Sequence, residues 1–264
     1  MRVADIPSKR LNLLNTGQAE STTLTECLAV DFAALMRATF PDIGQERLLA
    51  MQAASGAGIT RRMALAAKLI QDAYPQGMVT ALCEHKSDTL RGWACYLIAE
   101  QEEMPLRTRL MSMRCLADDA HFGVREWAWL AVRPYIAADL DDAISELSVW
   151  ALDPSERIRR FASEAIRPRG VWCAHLTPLR QRPEQALPVL EPLRADPVAY
   201  VQDSVGNWLN DASKDQPGWV QSLCDRWQQE NGNPATARIC KRALRSIEKR
   251  NKRDFRGLHP CRII

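Results

Sequence analysis

The sequence predicts an all-α protein built as a stack of paired helices, and three observations carry that prediction. An eleven-residue string, VREWAWLAVRP at 124–134, returns thirty-four residues later as IRRFASEAIRP at 158–168. The aliphatic anchor that opens each copy has counterparts at Ile59, Leu90, Val201 and Ile239, so anchors recur every 31 to 43 residues. No run alternates apolar and polar residues in the manner of a half-buried strand. Repeats of that length, each one supersecondary unit, belong to solenoids of the HEAT or armadillo kind. The expected architecture is therefore a HEAT-like α-α superhelix with a concave basic groove.

Taken along the chain, residues 1–22 read as an N-terminal extension, 23–250 as a single repeat domain, and 251–264 as a basic C-terminal tail. Inside the domain, ITRRMALAA from Ile59 and LRGWACYLI from Leu90 are weak early copies. The three clearest copies, DAHFGVREWAWLA, DPSERIRRFASEA and DPVAYVQDSVGNW, each begin with Asp five residues before the anchor. Asp-Pro and Asn-Pro read as an N-cap followed by Pro at the first helical position. LDDAISELSVWAL and PEQALPVLEPLRA lie between copies and supply the first helix of a pair. Pro134 and Pro168 are expected to end their helices, because the residue before proline avoids helical backbone. Trp93, Trp127 and Trp208 share the apolar stripe and are assigned to the core.

Composition narrows the function classes. With 264 residues, 25% of them charged, the chain can bury a sizeable core. Its start has no apolar run of secretory length, and no stretch approaches the roughly 18 apolar residues of a membrane span. Eight cysteines without a CxxC or CxxH pair argue against a zinc cluster and fit buried thiols in a reducing cytoplasm. The net charge of +3 is small but uneven, since nine Lys or Arg fall between Arg238 and Arg256 against Glu248 and Asp254. That run is either a solvated helix and tail or a phosphate-binding surface.

The repeat copies differ where a helical wheel turns away from the anchor. At 100° per residue, Trp127, Ala128 and Ala131 fall within about 60° of Val124, while Glu126, Trp129, Leu130 and Arg133 fall at about 140° to 240°. The same face carries Arg160, Ser163, Glu164 and Arg167 in the next copy, then Asp203, Gly206, Asn207, Asn210 and Lys214, then Lys241, Arg245 and Glu248. Arg160, Glu164 and Arg167 stand at three- and four-residue spacing. They form either an exposed ion-pair triplet or a carboxylate kept ionised by two arginines that also grip phosphate. Trp129 is a large ring on this face; it either packs on a neighbouring helix or stacks on a ligand, above all a cationic one. Trp172, just past Arg167-Pro168-Arg169-Gly170, offers a second wall.

The run IRRFASEAIRPRGVW, with VREWAWLAVRP before it and YVQDSVGNWLNDASKD after it, resembles the bacterial HEAT-like-repeat DNA alkylation-repair glycosylases of the AlkC/AlkD type, nearer the AlkC branch. The resemblance covers about Asp119 to Arg245. It implies excision of cationic N-alkylated bases such as 3-methyladenine from double-stranded DNA, without base flipping and without a metal or organic cofactor. It also implies Glu164 as the first catalytic candidate, flanked by Arg160 and Arg167 as DNA contacts. Two departures stand out. An AlkC-like acid is replaced here by Trp129, with Glu126 one turn earlier as its substitute, and an AlkD-like Asp is replaced by Ala131. Trp129 and Trp172 are then the stacking rings. Arg133, Arg169, Asn207, Asn210, Lys214, Lys241, Arg242 and Arg245 complete the expected DNA surface. No lysine stands out as a Schiff-base nucleophile, so simple hydrolysis is expected. The expected protein is a cytoplasmic, nucleoid-associated monomer that does not meet membranes. The other readings are a DNA-binding repeat protein without catalysis and a protein-binding scaffold.

Overall fold

The computed structural model describes residues 2–74, 77–230 and 232–257, with side chains to Arg250. Helix accounts for 72% of the structure and no strand occurs among the described residues, so the all-α expectation holds. Chain contacts separate two compact units, Met1–Tyr135 and Ile136–Ile264. The repeat domain expected over 23–250 spans parts of both units. A helix stack contacts only its neighbours, and such a chain divides where neighbour contacts are fewest.

The first unit holds α1 (Ser8–Asn15), α2 (Leu24–Ala29), α3 (Phe32–Thr39), α4 (Gln45–Ala53), α5 (Ile59–Ala73), α6 (Val79–Cys83), α7 (Asp88–Ala99), α8 (Leu106–Ala117) and most of α9 (Phe122–Ala138). Its centre is α7, every residue of which is buried. Gly92 of α7 lets α9 approach closely: a Cβ there would lie 2.7 Å from the Trp127 ring. Arg109 of α8, itself buried, closes the end of α7 by donating to the carbonyls of Ile98, Ala99, Gln101 and Met104. Ile98 and Ala99 are among the orphan acceptors that any helix C-terminus leaves, and Gln101 and Met104 belong to the turn that follows.

Residues 1–22 do not stand apart as an extension. Arg10 donates Nε and Nη2 to Glu26 at 3.0 and 2.7 Å, which pulls the Glu26 carboxyl down to about 2. Ser21 donates its amide and hydroxyl to Asp88 at 2.9 and 2.6 Å, and its carbonyl lies 2.7 Å from Nε2 of His121. The segment is held because it satisfies buried polar groups of α2, α7 and the turn before α9.

The second unit contains α10 (Leu140–Trp150), α11 (Glu156–Ala165), α12 (Thr177–Gln181), α13 (Leu187–Leu193), α14 (Ala199–Ala212), α15 (Pro217–Glu230) and α16 (Pro234–Gly257). Helices α11, α14 and α16 pack side by side in that order, with α10 and α13 behind α11 and α15 behind α16. The tail expected at 251–264 is helical to Gly257, and residues 258–264 lie outside the described residues.

The repeat positions behave as the pattern requires. All six anchors are buried, as are Trp93, Trp127 and Trp208, and each anchor side chain so placed contributes about 1.5–3 kcal/mol. The Asp that opens a copy accepts an amide two residues on, at His121, Ser155 and Val198. It also receives the residue after an anchor. Arg91 Nε reaches Asp119 at 2.8 Å, and Arg159 Nε reaches Asp196 at 2.6 Å. The same arginines return to their own repeat's turn, Arg159 donating to the carbonyls of Asp153 and Pro154, both at 2.9 Å. A ladder of Asp and Arg therefore stitches one repeat to the next.

Two local expectations are corrected. Asp153 and Asp196 are not the caps of their helices; Ser155 and Val198 are, because Asp-Pro builds the turn that precedes the helix. Pro134 does not end α9, which continues to Ala138. Proline costs a helix the hydrogen bond to the residue four earlier, and tertiary burial around Val132 and Ile136 offsets that loss. Before Pro168, α11 does end, at Ala165.

Candidate active site

On α11 the residues that diverge between copies form a buried polar seam against α14. Glu164 is 3% exposed. Its Oε1 accepts from Nη1 of Arg167 at 2.7 Å, and its Oε2 accepts from the hydroxyl of Ser204 at 2.7 Å. Arg160 stands one turn earlier with Nη2 3.6 Å from Oε2 and its guanidinium stacked 4.6 Å over the Tyr200 ring. Arg167 turns its remaining edge to Asp211, donating Nε and Nη2 to Oδ2 at 3.0 and 2.6 Å. Lys214 closes the row by reaching Oδ1 of Asp211 at 2.8 Å. Cation and anion alternate along this row, with Arg at both sides of Glu164.

The electrostatics follow from that order. Burial pushes the Glu164 carboxyl up, but the charges of Arg160 and Arg167 and the hydrogen bonds from Arg167 and Ser204 outweigh it, so the group titrates below the ordinary range. Arg167 loses solvation, and the charges of Glu164 and Asp211 more than restore its hold on the proton. The result is a carboxylate that stays ionised in a nearly dry place, with a fixed direction. Charge fixed in that way acts on a nearby developing charge without the reorganisation water requires.

Across α14 and α16 the expected DNA surface divides. Gly206 admits α16 closely, since a Cβ there would lie 2.9 Å from the Arg242 side chain. Arg242 donates Nε to Asn207 at 2.9 Å and pairs with Asp203 at 3.1 Å. Arg245 donates to the carbonyl of Arg242, and burial together with the Arg242 charge lowers its proton affinity. Lys241 and Lys214 are exposed. Arg169 and Arg180 both clamp Asp215 in bidentate pairs. Trp172 is 45% exposed with φ 61°, a left-handed backbone that a tryptophan seldom adopts.

Besides Glu164, three expected site residues are more buried than the helical wheel put them. Asn210 is 2% exposed and spends its amide on the Ala243 carbonyl and the Ser246 hydroxyl, which makes it a tie between α14 and α16. Arg133 is 2% exposed and Trp129 3% exposed, so neither stands on an open face. On α9 the Trp129 indole N–H donates to Oε2 of Glu126 at 2.9 Å, joining two of the predicted residues. The cause is common to all three: a helix inside a stack has neighbours on more than one side. A single-helix wheel therefore identifies the stripe of anchors but mistakes a second packing face for a solvent face.

Asp211 is the residue that links Arg167 to Lys214. Ser163 and Ser204 were missed as partners, although the exchange of Trp129 for Ser163 between copies was a signal. A hydroxyl replaces an indole where the helix face turns polar.

Residues 119–247 match the family profile described as DNA alkylation repair enzyme. The matched segment, just under half of the chain, is similar to that family. It contains α11, α14 and the start of α16, and so the whole Glu164 row. YhaZ of Bacillus subtilis (strain 168) is 34% identical over 147 residues, a stretch covering 56% of this chain and 40% of YhaZ. The alkylpurine DNA glycosylase AlkC of Pseudomonas fluorescens, solved bound to DNA containing an abasic site analog, is similar in structure with a TM-score of 0.67. Identity to AlkC is 27%, over 92% of this chain and 66% of AlkC. AlkD2 of Streptococcus mutans shares the fold at 21% identity and a TM-score of 0.52, over 81% of this chain and 96% of AlkD2. The chain thus spans less than half of YhaZ and just under two thirds of AlkC.

Proposed function

We propose that this protein is a DNA glycosylase that hydrolyses the N-glycosidic bond of cationic N-alkylated bases, of the 3-methyladenine type, in duplex DNA. The observation that carries the reading is the Glu164 carboxylate, kept ionised between Arg160 and Arg167 inside the DNA alkylation repair segment. An N-alkylated base already bears a positive charge. When its bond to C1′ breaks, the electron pair leaves with the base and neutralises it, while positive charge develops on the sugar. An oriented carboxylate lowers the energy of that oxocarbenium-like state. Water then adds to C1′ and releases a proton, leaving an abasic site. Neither step requires the base to be flipped out of the helix.

In this reading a basic face of the second unit holds the duplex, with Lys214, Lys241, Arg242, Arg245 and Arg169 on phosphates and Trp172 against the lesion or its sugar. Arg160 and Arg167 serve both the carboxylate and the DNA. Glu126, in the first unit, is partly exposed and fixed by the Trp129 N–H, and it is the other candidate carboxylate. Arg133 and Asn210 are left out of the DNA contacts because they are buried. The protein acts as a monomer at the nucleoid.

Incubation of N-methylated duplex DNA with the purified protein is expected to release 3-methyladenine, and Glu164→Gln to cut that release at least about tenfold, or 1.4 kcal/mol, with DNA affinity retained. Folded wild-type protein that binds the DNA but frees no base would sink the reading. A second reading, a DNA-binding repeat protein without catalysis, is favoured by one observation: the indole of Trp129 occupies Glu126. It predicts salt-sensitive duplex binding that Glu164→Gln leaves unchanged, with no base released.

A further inference from the structure

We propose that Ser204, backed by Ser163, is the positioning residue that fixes the direction of the Glu164 carboxylate. The inference rests on the reading of Glu164 given above and adds a residue to it.

Glu164 is the second-last residue of α11, and its own segment offers it Arg160 from the helix and Arg167 from just beyond the helix end. Both side chains are long. Arg167 reaches Oε1, and Arg160 at 3.6 Å lies beyond hydrogen-bond range. Arg160 thus reaches Oε2 as a longer ion pair and does not by itself fix its direction. Ser204 does so from the facing helix, with a short side chain of a single rotatable bond and a contact of 2.7 Å. The two oxygens are thus held by donors from two different elements, which defines the plane of the carboxylate. An ionised carboxylate has about four lone-pair sites. Two are filled here, which leaves acceptor capacity for a water or for charge developing on a substrate.

The hydrogens can be counted. Ser204 has one hydroxyl hydrogen, and a carboxylate can only accept, so that hydrogen goes to Glu164. The 2.8 Å contact between the Ser163 and Ser204 hydroxyls then needs Ser163 as donor. Ser163 has an alternative acceptor in the Arg160 carbonyl at 3.1 Å. A hydroxyl pair of this kind orients Ser204 by giving its oxygen a donor to face. Both serines are buried, Ser163 wholly, so water has no room to replace either one. Removing the Ser204 hydroxyl would leave a buried carboxylate oxygen short of a donor, a change felt in both orientation and proton affinity.

The charged groups facing Glu164 are Arg160 and Arg167 on its own side. On α14, Asp211 acts through Arg167 and is itself paired to Lys214. From α16, the Arg245 charge acts on Arg167 and Asp211. Serine substitution alters none of these, so a change in the titration of Glu164 reports the lost donor.

The test compares Ser204→Ala, Ser204→Thr, Ser204→Val, Ser163→Ala and Glu164→Gln in the full chain. Single-turnover release of 3-methyladenine is followed against pH, with the enzyme-free rate subtracted, and duplex affinity is measured in parallel. Ser204→Ala is expected to lower the rate at neutral pH about tenfold and to move the acid limb to higher pH, with affinity unchanged. Threonine should restore both and valine neither, whereas a packing role would treat these two alike. Ser163→Ala should give the same changes at smaller size. A second readout is independent of turnover: carbon-13 NMR titration of the Glu164 carboxyl, identified by its absence in Glu164→Gln, should shift to higher pH in Ser204→Ala.

An inactive Glu164→Gln together with a Ser204→Ala enzyme of wild-type rate, pH limb and carboxyl titration overturns the inference and spares the role of Glu164. A fully active Glu164→Gln overturns the reading of the preceding subsection and takes the positioning role with it.

Discussion

Helices α9 and α11 begin from almost the same eleven residues and end as different objects. In both, the anchor and the aromatic three residues later, Val124 with Trp127 and Ile158 with Phe161, are buried. On α9 the divergent positions are Glu126, Trp129 and Leu130, and the one carboxylate is answered by an indole N–H from its own helix. On α11 they are Arg160, Ser163 and Glu164, and the carboxylate is answered by Arg167 and by a hydroxyl from α14. The difference shows that one motif serves equally as an apolar brace or as an electrostatic centre. Three side chains decide which, provided a neighbouring helix supplies matching groups.

The largest effect should come from Asp211, because the row of charges on α11 depends on it. Asp211→Ala takes the second carboxylate from the largely buried Arg167 and releases the exposed Lys214, and loss of one partner of a buried pair costs about 3–5 kcal/mol. Urea unfolding of the variant should show that loss; a change under about 1 kcal/mol would mean the row tolerates repacking. Gly206→Ala should follow at about 1–3 kcal/mol, since the new Cβ would meet the Arg242 side chain at 2.9 Å. A wild-type stability there would show that α16 can slide on α14.

Glu126→Gln sharpens the contrast between the copies. It weakens the hydrogen bond from Trp129 and should cost about 1 kcal/mol, with glycosylase activity reduced far less than by Glu164→Gln. Equal losses in the two variants would show that both copies carry the chemistry.

The smallest effect is one of pH, in the first unit. Glu26 is held down at about 2 by its hydrogen bonds from Arg10, against an ordinary value of 4.5. A group depressed on folding contributes stability above its unfolded value, and that contribution fades as pH falls through the folded value. Stability attributable to Glu26 should therefore be complete above pH 4.5 and disappear towards pH 2. Glu26→Gln should flatten that part of the stability–pH curve, and an unchanged curve would mean that the pair with Arg10 does not persist in solution.

Much of this was open to reading in the chain. The anchors, the core tryptophans and the helical class follow from periodicity, which depends only on residues within one helix. The charge triplet of Arg160, Glu164 and Arg167 was visible for the same reason, its members being three and four residues apart. The ties of Asn210 to Ser246, of Arg167 to Asp211 and of Arg10 to Glu26 span 16 to 44 residues and leave no periodic mark. The passage of α9 through Pro134 was also hidden, because the residues whose burial offsets the lost hydrogen bond do not announce themselves next to the proline.

Local order, then, was written in the chain: which segments coil, which stripe they bury and where one copy departs from the next. Whether a departing residue meets water, a neighbouring hydroxyl or a counter-charge was settled by packing. A helix has a periodic surface that its own residues define, but the dielectric and the donors around each side chain belong to the helices beside it. Glu164 is a buried, ionised and oriented carboxylate because α14 brings Ser204 and Asp211 to it, and the same glutamate on a lone helix would be an ordinary exposed acid.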